Sequence, residues 1–373
     1  MRKTLNNGPR RVVIKVGTST LTDSNGGIDR GYIRSLVEQI SRLVQSGVQC
    51  VLVSSGAIRA GRERLNLNGR PRTIPEKQAA AAVGQGILMH TYAELFSEAG
   101  IAAAQILLTR DDLKQRVRYL NARNTLNTLL EYGCVPVINE NDTVAIEEIR
   151  FGDNDTLAVL VASGIHADLL ILLSDVPGLC DRDPKLPGCE LIPEVKAITP
   201  EIRAIAGDAQ GDAGTGGMRT KIDAAEIAMK SGVEMVIADG RAPNVVESAA
   251  NGEAVGTRFV AGAKRLSSRK RWIAFSMPIR GTVTVNEGAR KMIVTGGKSL
   301  LPAGIVEVQG TFKAGDLVAV SDEGGKRIAR GFANYGASDI RQIKGKQTAE
   351  IEDILGFKDF DEVIHRDNLV LGV

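Results

Sequence analysis

The chain has 373 residues, with 47 basic and 44 acidic side chains and a formal charge of +3. That length exceeds one ordinary domain and points to two, with a core large enough to support an enzyme cleft. The near balance of charge gives no global electrostatic case for nucleic acid or membrane surfaces. The apolar run near the N-terminus, interrupted by Lys15, is too short for a signal-peptide core or a span, so a cytoplasmic protein without a membrane partner is expected.

In chain order, short apolar runs alternate with helical periodicity over the first two-thirds. Strands are predicted at Arg11–Val16, Cys50–Ser54, Ala104–Leu108, Cys134–Asn139, Leu169–Ser174 and Met235–Ala238, mostly continuous runs of the kind buried on both faces. Between the first two, Asp29 caps a helix whose Ile33, Leu36, Val37, Ile40, Leu43 and Val44 form one apolar stripe, ended by Gly47. Pro75 opens a second helix, and Thr109 with Asp112 offers a capping box for a third. The pattern predicts an α/β fold with a mostly parallel central sheet between helices, whose ligands sit at the carboxyl ends of the strands. Gly17, Ser55, Asn139 and Asp175 fall there.

Near residue 260 the texture changes. Ala263 to Arg271 is basic, contains serine and lacks an apolar stripe, which reads as a linker. Beyond it, alternating strands broken by glycine are predicted at Gly281–Val285, Gly304–Gln309, Asp316–Val320 and Arg327–Phe332. Seven of the chain's 14 aromatics (8 Phe, 5 Tyr, 1 Trp) lie from Trp272 onward, which supports a small separate β-rich barrel. The expected divisions are 1–262, a linker 263–278, a β-rich domain 279–358 and a tail 359–373. Cys50, Cys134, Cys180 and Cys189 show no C-x-x-C spacing and read as reduced thiols, not disulfides or a zinc site, and no metal-ligating residues are assigned. His90, His166 and His365 are scattered singly and receive no role.

Two lysines embedded in glycine and hydroxyl residues carry the chemistry. Lys15 precedes Val16-Gly17-Thr18-Ser19, where a strand running into a turn leaves backbone N–H groups for phosphate oxygens, and Lys221 ends Gly214-Thr215-Gly216-Gly217-Met218-Arg219-Thr220-Lys221. Neither fits G-x-x-x-x-G-K-[ST], so a nucleotide would bind outside the P-loop architecture. Ser54-Ser55-Gly56-Ala57 joins a strand to a helix, which is either a plain turn or an anion-binding one. Polar clusters at Asn139-Glu140-Asn141-Asp142 and Gly152-Asp153-Asn154-Asp155 flank the Val144–Ile149 segment as two sides of one pocket, and their carboxylates suit a substrate ammonium or the lysines. Ser174-Asp175 ends a buried strand one strand before the Lys221 loop.

Together these six ordered motifs resemble the glutamate 5-kinases of the amino acid kinase family. Gly281 to Ala289, Ser299 to Ile305 and Gly310 to Asp316 resemble the PUA domain that many bacterial members carry, and with the tail around His365 the resemblance covers essentially the whole chain. It implies an amino acid kinase fold with an appended PUA-like barrel. It also implies ATP-dependent phosphorylation of the side-chain carboxylate of L-glutamate, the first step of proline biosynthesis, with ATP and Mg²⁺ required. Such a carboxylate, with a pKa of about 4.3, is already ionised and needs no general base. Catalysis then rests on positioning and charge neutralisation.

By resemblance, Lys15 and Lys221 meet the phosphoryl group and phosphate chain, Gly17, Thr18 and Gly56 add backbone donors, and Asp153 or Asp155 orients the lysines. Ser55, Gly56, Ala57, Asp142 and Asn154 match glutamate-binding positions, and Ser174, Asp175, Thr215, Gly216, Gly217, Met218, Arg219 and Thr220 match nucleotide-binding ones. Serine at 174 replaces the more usual threonine. Proline is expected as an inhibitor acting near Thr109–Asp112 and the loop beyond Asn121. A homo-oligomer, dimer or tetramer, and hand-off of the labile product to glutamyl-phosphate reductase are further expectations. The alternatives are another member of the family acting on acetylglutamate, aspartate or UMP, and an RNA-binding protein acting through the PUA-like module. The module's mixed charge weighs against RNA.

Overall fold

The computed structural model describes residues 8–23, 27–67, 69, 71–144, 154–182, 188–207, 217–261 and 279–372. The expected linker, the Phe151 to Asp153 segment and the Gly214 to Gly216 segment lie outside the described residues. The chain divides into two compact units, residues 1–265 and 266–373.

The first unit begins with β1 (Arg11–Val16), α1 (Arg30–Gln45), β2 (Gln49–Ser54), α2 (Ala57–Arg64), α3 (Ile74–Glu98) and β3 (Ala103–Leu108). It continues through α4 (Arg110–Lys114), α5 (Arg116–Glu131), β4 (Val135–Glu140), α6 (Asn154–Gly164), β5 (Leu169–Ser174) and β6 (Glu194–Val195). It closes with α7 (Pro200–Ile205), α8 (Met218–Ser231), β7 (Glu234–Asp239), α9 (Val245–Ala250) and β8 (Thr257–Phe259). The strands form one sheet in the order β3-β4-β2-β1-β5-β7-β8-β6. Every pair is parallel except β7 with β8, as the unbroken apolar strands require.

Strand alternation sorts the sheet into two faces. Val12, Ile14 and Val16 of β1 join Leu52, Ile171 and Val236 in a core covered by the α1 stripe, by Leu88, Tyr92 and Phe96 of α3, and by Val245 and Val246 of α9. Lys15 takes the opposite face, where α6 packs on β1, β5 and α8. α6 is apolar nearly all round and buried from Leu157 to Gly164, as a helix enclosed between a sheet and another helix must be.

Asp29 caps α1 by accepting from the Tyr32 amide, and Thr109 with Asp112 forms the expected capping box. The second long helix starts one residue before Pro75, at Ile74, behind a Thr73–Glu76 capping box. β3 is an edge strand with Gln105 exposed, not a strand buried on both faces. Asn121 lies inside α5, so no loop follows it: Tyr119, Leu126 and Leu130 recur on one helical face and are buried.

α2 and α3 approach closely at two glycines. A Cβ on Gly61 would sit 1.7 Å from the Ala80 carbonyl oxygen, and one on Gly84 would sit 1.8 Å from that of Ala57. The two glycines let the backbones touch and so fix where α2 begins, at Gly56 with φ +95°.

The second unit holds β9 (Gly281–Val285), α10 (Glu287–Val294), β10 (Ile305–Gly310), β11 (Leu317–Asp322), β12 (Arg327–Phe332), α11 (Ala337–Ile343), α12 (Ile351–Leu355) and β13 (Leu369–Leu371). Its sheet runs β10-β9-β11-β12-β13, antiparallel apart from the β9–β11 pair. The segment read as a tail belongs to this sheet, because β13 pairs with β12 and Val363, Ile364 and Leu369 are buried in the core with Val283, Val320 and Ile340.

Candidate active site

The parallel strands end together. Val16 of β1 lies opposite Ser54 of β2 and Leu173 of β5, and Ser174 lies opposite Asp239 of β7. Gly17, Ser55, Asn139 and Asp175 therefore share one edge of the sheet, where an open α/β fold binds its ligands.

At the centre of that edge Asp155 is fully buried in the first turn of α6. Its Oδ1 is 2.6 Å from Lys15 Nζ, and its Oδ2 accepts a hydrogen bond from Lys221 Nζ at 3.0 Å. Burial, the largest influence, pushes the carboxyl pKa up. The charges and hydrogen bonds of Lys15 and Lys221 outweigh it and hold the group at about 2. One carboxylate thus braces two ammonium groups supplied by β1 and α8, and the trio keeps a net positive charge.

The fold makes this meeting obligatory. α6 and α8 pack side by side, touching through Asp155 and Lys221 near their starts and through a Ser163–Ser231 hydroxyl bond of 3.1 Å near their ends. Gly217 is the N-cap of α8, and its carbonyl accepts from the Thr220 hydroxyl at 2.8 Å. Met218, Arg219 and Thr220 therefore precede Lys221 in the first turn, where amides are unpaired within the helix. A cleft of about 400 Å³ beside them is lined by Pro200, Arg203, Gly207, Arg219, Ile222 and Asp223.

Asn154, next to Asp155, faces β2 and β4. Its Nδ2 group lies 3.0 Å from Ser55 Oγ, 2.9 Å from the Ser54 carbonyl and 3.0 Å from Asn139 Oδ1, which also accepts from the Glu140 amide. Asn139 Nδ2 donates in turn to Gln85 Oε1 of α3 at 2.8 Å. The Ser54 hydroxyl meets the buried Tyr92 hydroxyl at 2.9 Å, and burial raises the Tyr92 pKa. Gly56 and Ala57 continue from Ser55 into α2, and Asp142 occupies the turn that leaves β4.

Around the lysines, Gly17 and Thr18 form the turn after β1, closed by the Leu21 amide on the Gly17 carbonyl. The Ser174 hydroxyl and Asp175 Oδ1 are 3.2 Å apart at the end of β5. The turn beyond them is held by Thr257, whose hydroxyl accepts from the Leu179 amide and donates to the Ile192 carbonyl.

The structure brings together Lys15, Lys221 and Asp155, and separately Ser55 and Asn154. Asp153, Thr215 and Gly216 lie outside the described residues. Sequence reading missed the supports: Gln85 and Tyr92 carry no motif, and only their two-turn spacing on α3 puts them on one face. Among the described residues no group of three or more His, Cys, Asp or Glu side chains can hold a metal ion, and no helix is long and apolar enough to cross a membrane.

This constellation, two lysines on one carboxylate at the carboxyl edge of a parallel sheet, is that of a non-P-loop phosphotransferase. The amino acid kinase family description matches residues 10–239, and that of the PUA domain matches residues 281–355. A glutamate 5-kinase of Thermoanaerobacter sp. (strain X514) is 52% identical over 97% of both chains, and one of Geobacter sp. (strain M21) is 48% identical over the full length of both. A crystal structure of a UMP kinase from Bacillus anthracis superposes on 69% of this chain and 98% of its own, at 15% identity and a TM-score of 0.47. The chain belongs to the amino acid kinase family, in its glutamate 5-kinase branch, and carries a C-terminal PUA domain.

Proposed function

We propose that the protein transfers the γ-phosphoryl group of ATP to the side-chain carboxylate of L-glutamate, giving L-glutamyl 5-phosphate and ADP as the first step of proline biosynthesis in the cytosol. The observation that carries this reading is the Asp155 brace on Lys15 and Lys221 beside the Ser55–Asn154 pair. Both reactants are anionic, so the site must neutralise charge more than it must move protons. Lys15 and Lys221 do this, held at fixed separation by a carboxylate that stays ionised at any physiological pH.

In this reading Gly17, Thr18 and Gly56 turn backbone N–H groups toward the phosphoryl oxygens. Asp142 pairs with the α-ammonium of glutamate, while Ser55, Asn154 and the Gly56–Ala57 backbone hydrogen-bond its carboxylate oxygens. Ser174, Asp175 and the Thr215 to Thr220 segment hold the nucleotide, and Asp155 orients the two lysines. The described residues do not fit a metal ion of their own, since both oxygens of Asp155 face lysines. Mg²⁺ enters this reading carried by the phosphates of the nucleotide.

Proline competes near the glutamate pocket in this proposal, the product passes to glutamyl-phosphate reductase, and the enzyme works as a homo-oligomer. The deciding assay is Mg²⁺–ATP turnover with L-glutamate and hydroxylamine, alongside aspartate, N-acetylglutamate and UMP. A hydroxamate formed with glutamate alone is expected, and activity confined to another acceptor overturns the substrate. Millimolar proline added to the same assay is expected to slow it, and an unchanged rate removes feedback from the proposal.

A further inference from the structure

Gln85 lies on α3, outside every motif of the site. Its side-chain oxygen accepts from Asn139 Nδ2 at 2.8 Å. An amide side chain presents an acceptor at one corner and donors at the other, so fixing one fixes both. With its NH₂ group turned to Gln85, Asn139 must turn Oδ1 toward Asn154 Nδ2, at 3.0 Å, and toward the Glu140 amide, at 2.8 Å. Asn154 in turn is set against Ser55 Oγ at 3.0 Å and the Ser54 carbonyl at 2.9 Å. Asn139 and Asn154 are 3% and 6% exposed, so water offers little substitute for a lost partner.

We propose that Gln85 is a positioning residue for the acceptor half of the site: it sets the amide of Asn139, and through it the orientation of Asn154 and Ser55. The chain of bonds Gln85–Asn139–Asn154–Ser55 crosses three elements, α3, β4 and α6, and ends on the β2–α2 turn. The lysine brace shares none of its bonds. Loss of Gln85 therefore loosens the acceptor pocket and leaves the phosphate side intact. With glutamate as acceptor the inference rests on the function proposed above, but the hydrogen-bond chain itself does not.

The test compares Gln85→Met, which keeps the length and removes the acceptor, with Gln85→Glu, which keeps an acceptor. Gln85→Met is expected to raise the glutamate KM about tenfold, the equivalent of one net hydrogen bond, with ATP KM close to wild type and Tm lowered by a few degrees because the buried Asn139 amide loses its acceptor. Gln85→Glu is expected to remain within about threefold of wild type, since Asn139 keeps its partner. A crystal structure of Gln85→Met is expected to show the Asn139 amide released from its bond to Asn154. An unchanged glutamate KM, or an ATP KM that rises in step, overturns the proposal for catalysis. An Asn139–Asn154 pair unmoved in the crystal overturns it whatever the acceptor. If the wild type proves inactive on glutamate, the crystal comparison still decides the positioning claim while the substrate reading fails.

Discussion

β1 carries a cation at each end, Arg11 and Lys15, on the same face of the sheet and four residues apart. Arg11 directs its guanidinium to neutral groups: Nε and Nη2 donate to Gln49 Oε1 at 3.0 and 2.7 Å, and Nη1 donates to Asn127 Oδ1 at 2.9 Å and to the Ile165 carbonyl. Burial, the largest influence on it, lowers its pKa against the opposing charges of Asp168 and Glu131. Lys15 has one partner among the described residues, Asp155, which it shares with a second lysine. The contrast separates two uses of a partly enclosed cation. One ties β1 to β2, α5 and the end of α6 through acceptors that leave nothing to recruit, and the other gathers excess positive charge where the strands end.

The largest effects test the reactive end. Lys15→Ala and Lys221→Ala are each expected to lower kcat by about 10²-fold or more, the size of loss seen when one electrostatic donor is removed. Tm is expected to change little, because the remaining lysine still pairs Asp155. Near-normal turnover in either variant removes that lysine from the mechanism. Asp155→Asn is expected to act on both axes, leaving two buried ammonium groups without a counter-charge at a cost of about 3–5 kcal/mol while also releasing the lysines from register. A variant with lost activity and wild-type Tm would show that the brace is catalytic only.

Arg11→Met sharpens the other half of the contrast. It orphans acceptors on Gln49, Asn127 and Ile165 and is expected to destabilise by about 3 kcal/mol, with kcat of the folded fraction unchanged. Chemical denaturation alongside steady-state kinetics reads both. A fall in kcat at full folding would mean that the two ends of β1 are coupled and the comparison is false.

The difference between the ends also bears on what the sequence discloses. Lys15 and Lys221 stand out because glycine and hydroxyl residues surround them, and the buried parallel strands were legible from their continuous apolar runs. Arg11 and Gln85 sit in ordinary helical or strand context, and their partners, Asn127 and Asn139, come from 116 and 54 residues away. Such pairings depend on how elements pack, which local periodicity does not encode. The choice between Asp153 and Asp155 was open for the same reason. Asp155 makes both lysine contacts because it opens α6 facing β1 and α8, and its helical phase is set by apolar residues further along. Strand β13 leaves no mark in the sequence because three residues, Leu369–Leu371, are too few for alternation to register.

The smallest expected effect is the acid dependence of the brace. Asp155 has its folded pKa held at about 2, below its ordinary 3.8, so between those values the unfolded chain binds the proton more readily than the folded one. The stabilisation from this carboxylate is therefore complete above about pH 4 and is lost as pH falls toward 2, amounting to about 2 kcal/mol. Many surface carboxylates titrate in the same range, so the measurement is the stability difference between wild type and Asp155→Asn from pH 6 to pH 2. That difference is expected to hold steady to about pH 4 and then shrink. Arg11→Met gives the control, since its guanidinium stays charged across the whole interval and its deficit is expected to follow no such step. A constant Asp155 difference down to pH 2 would mean that the two lysines do not stabilise its charge, and the distinction between the ends of β1 would then rest on kinetics alone.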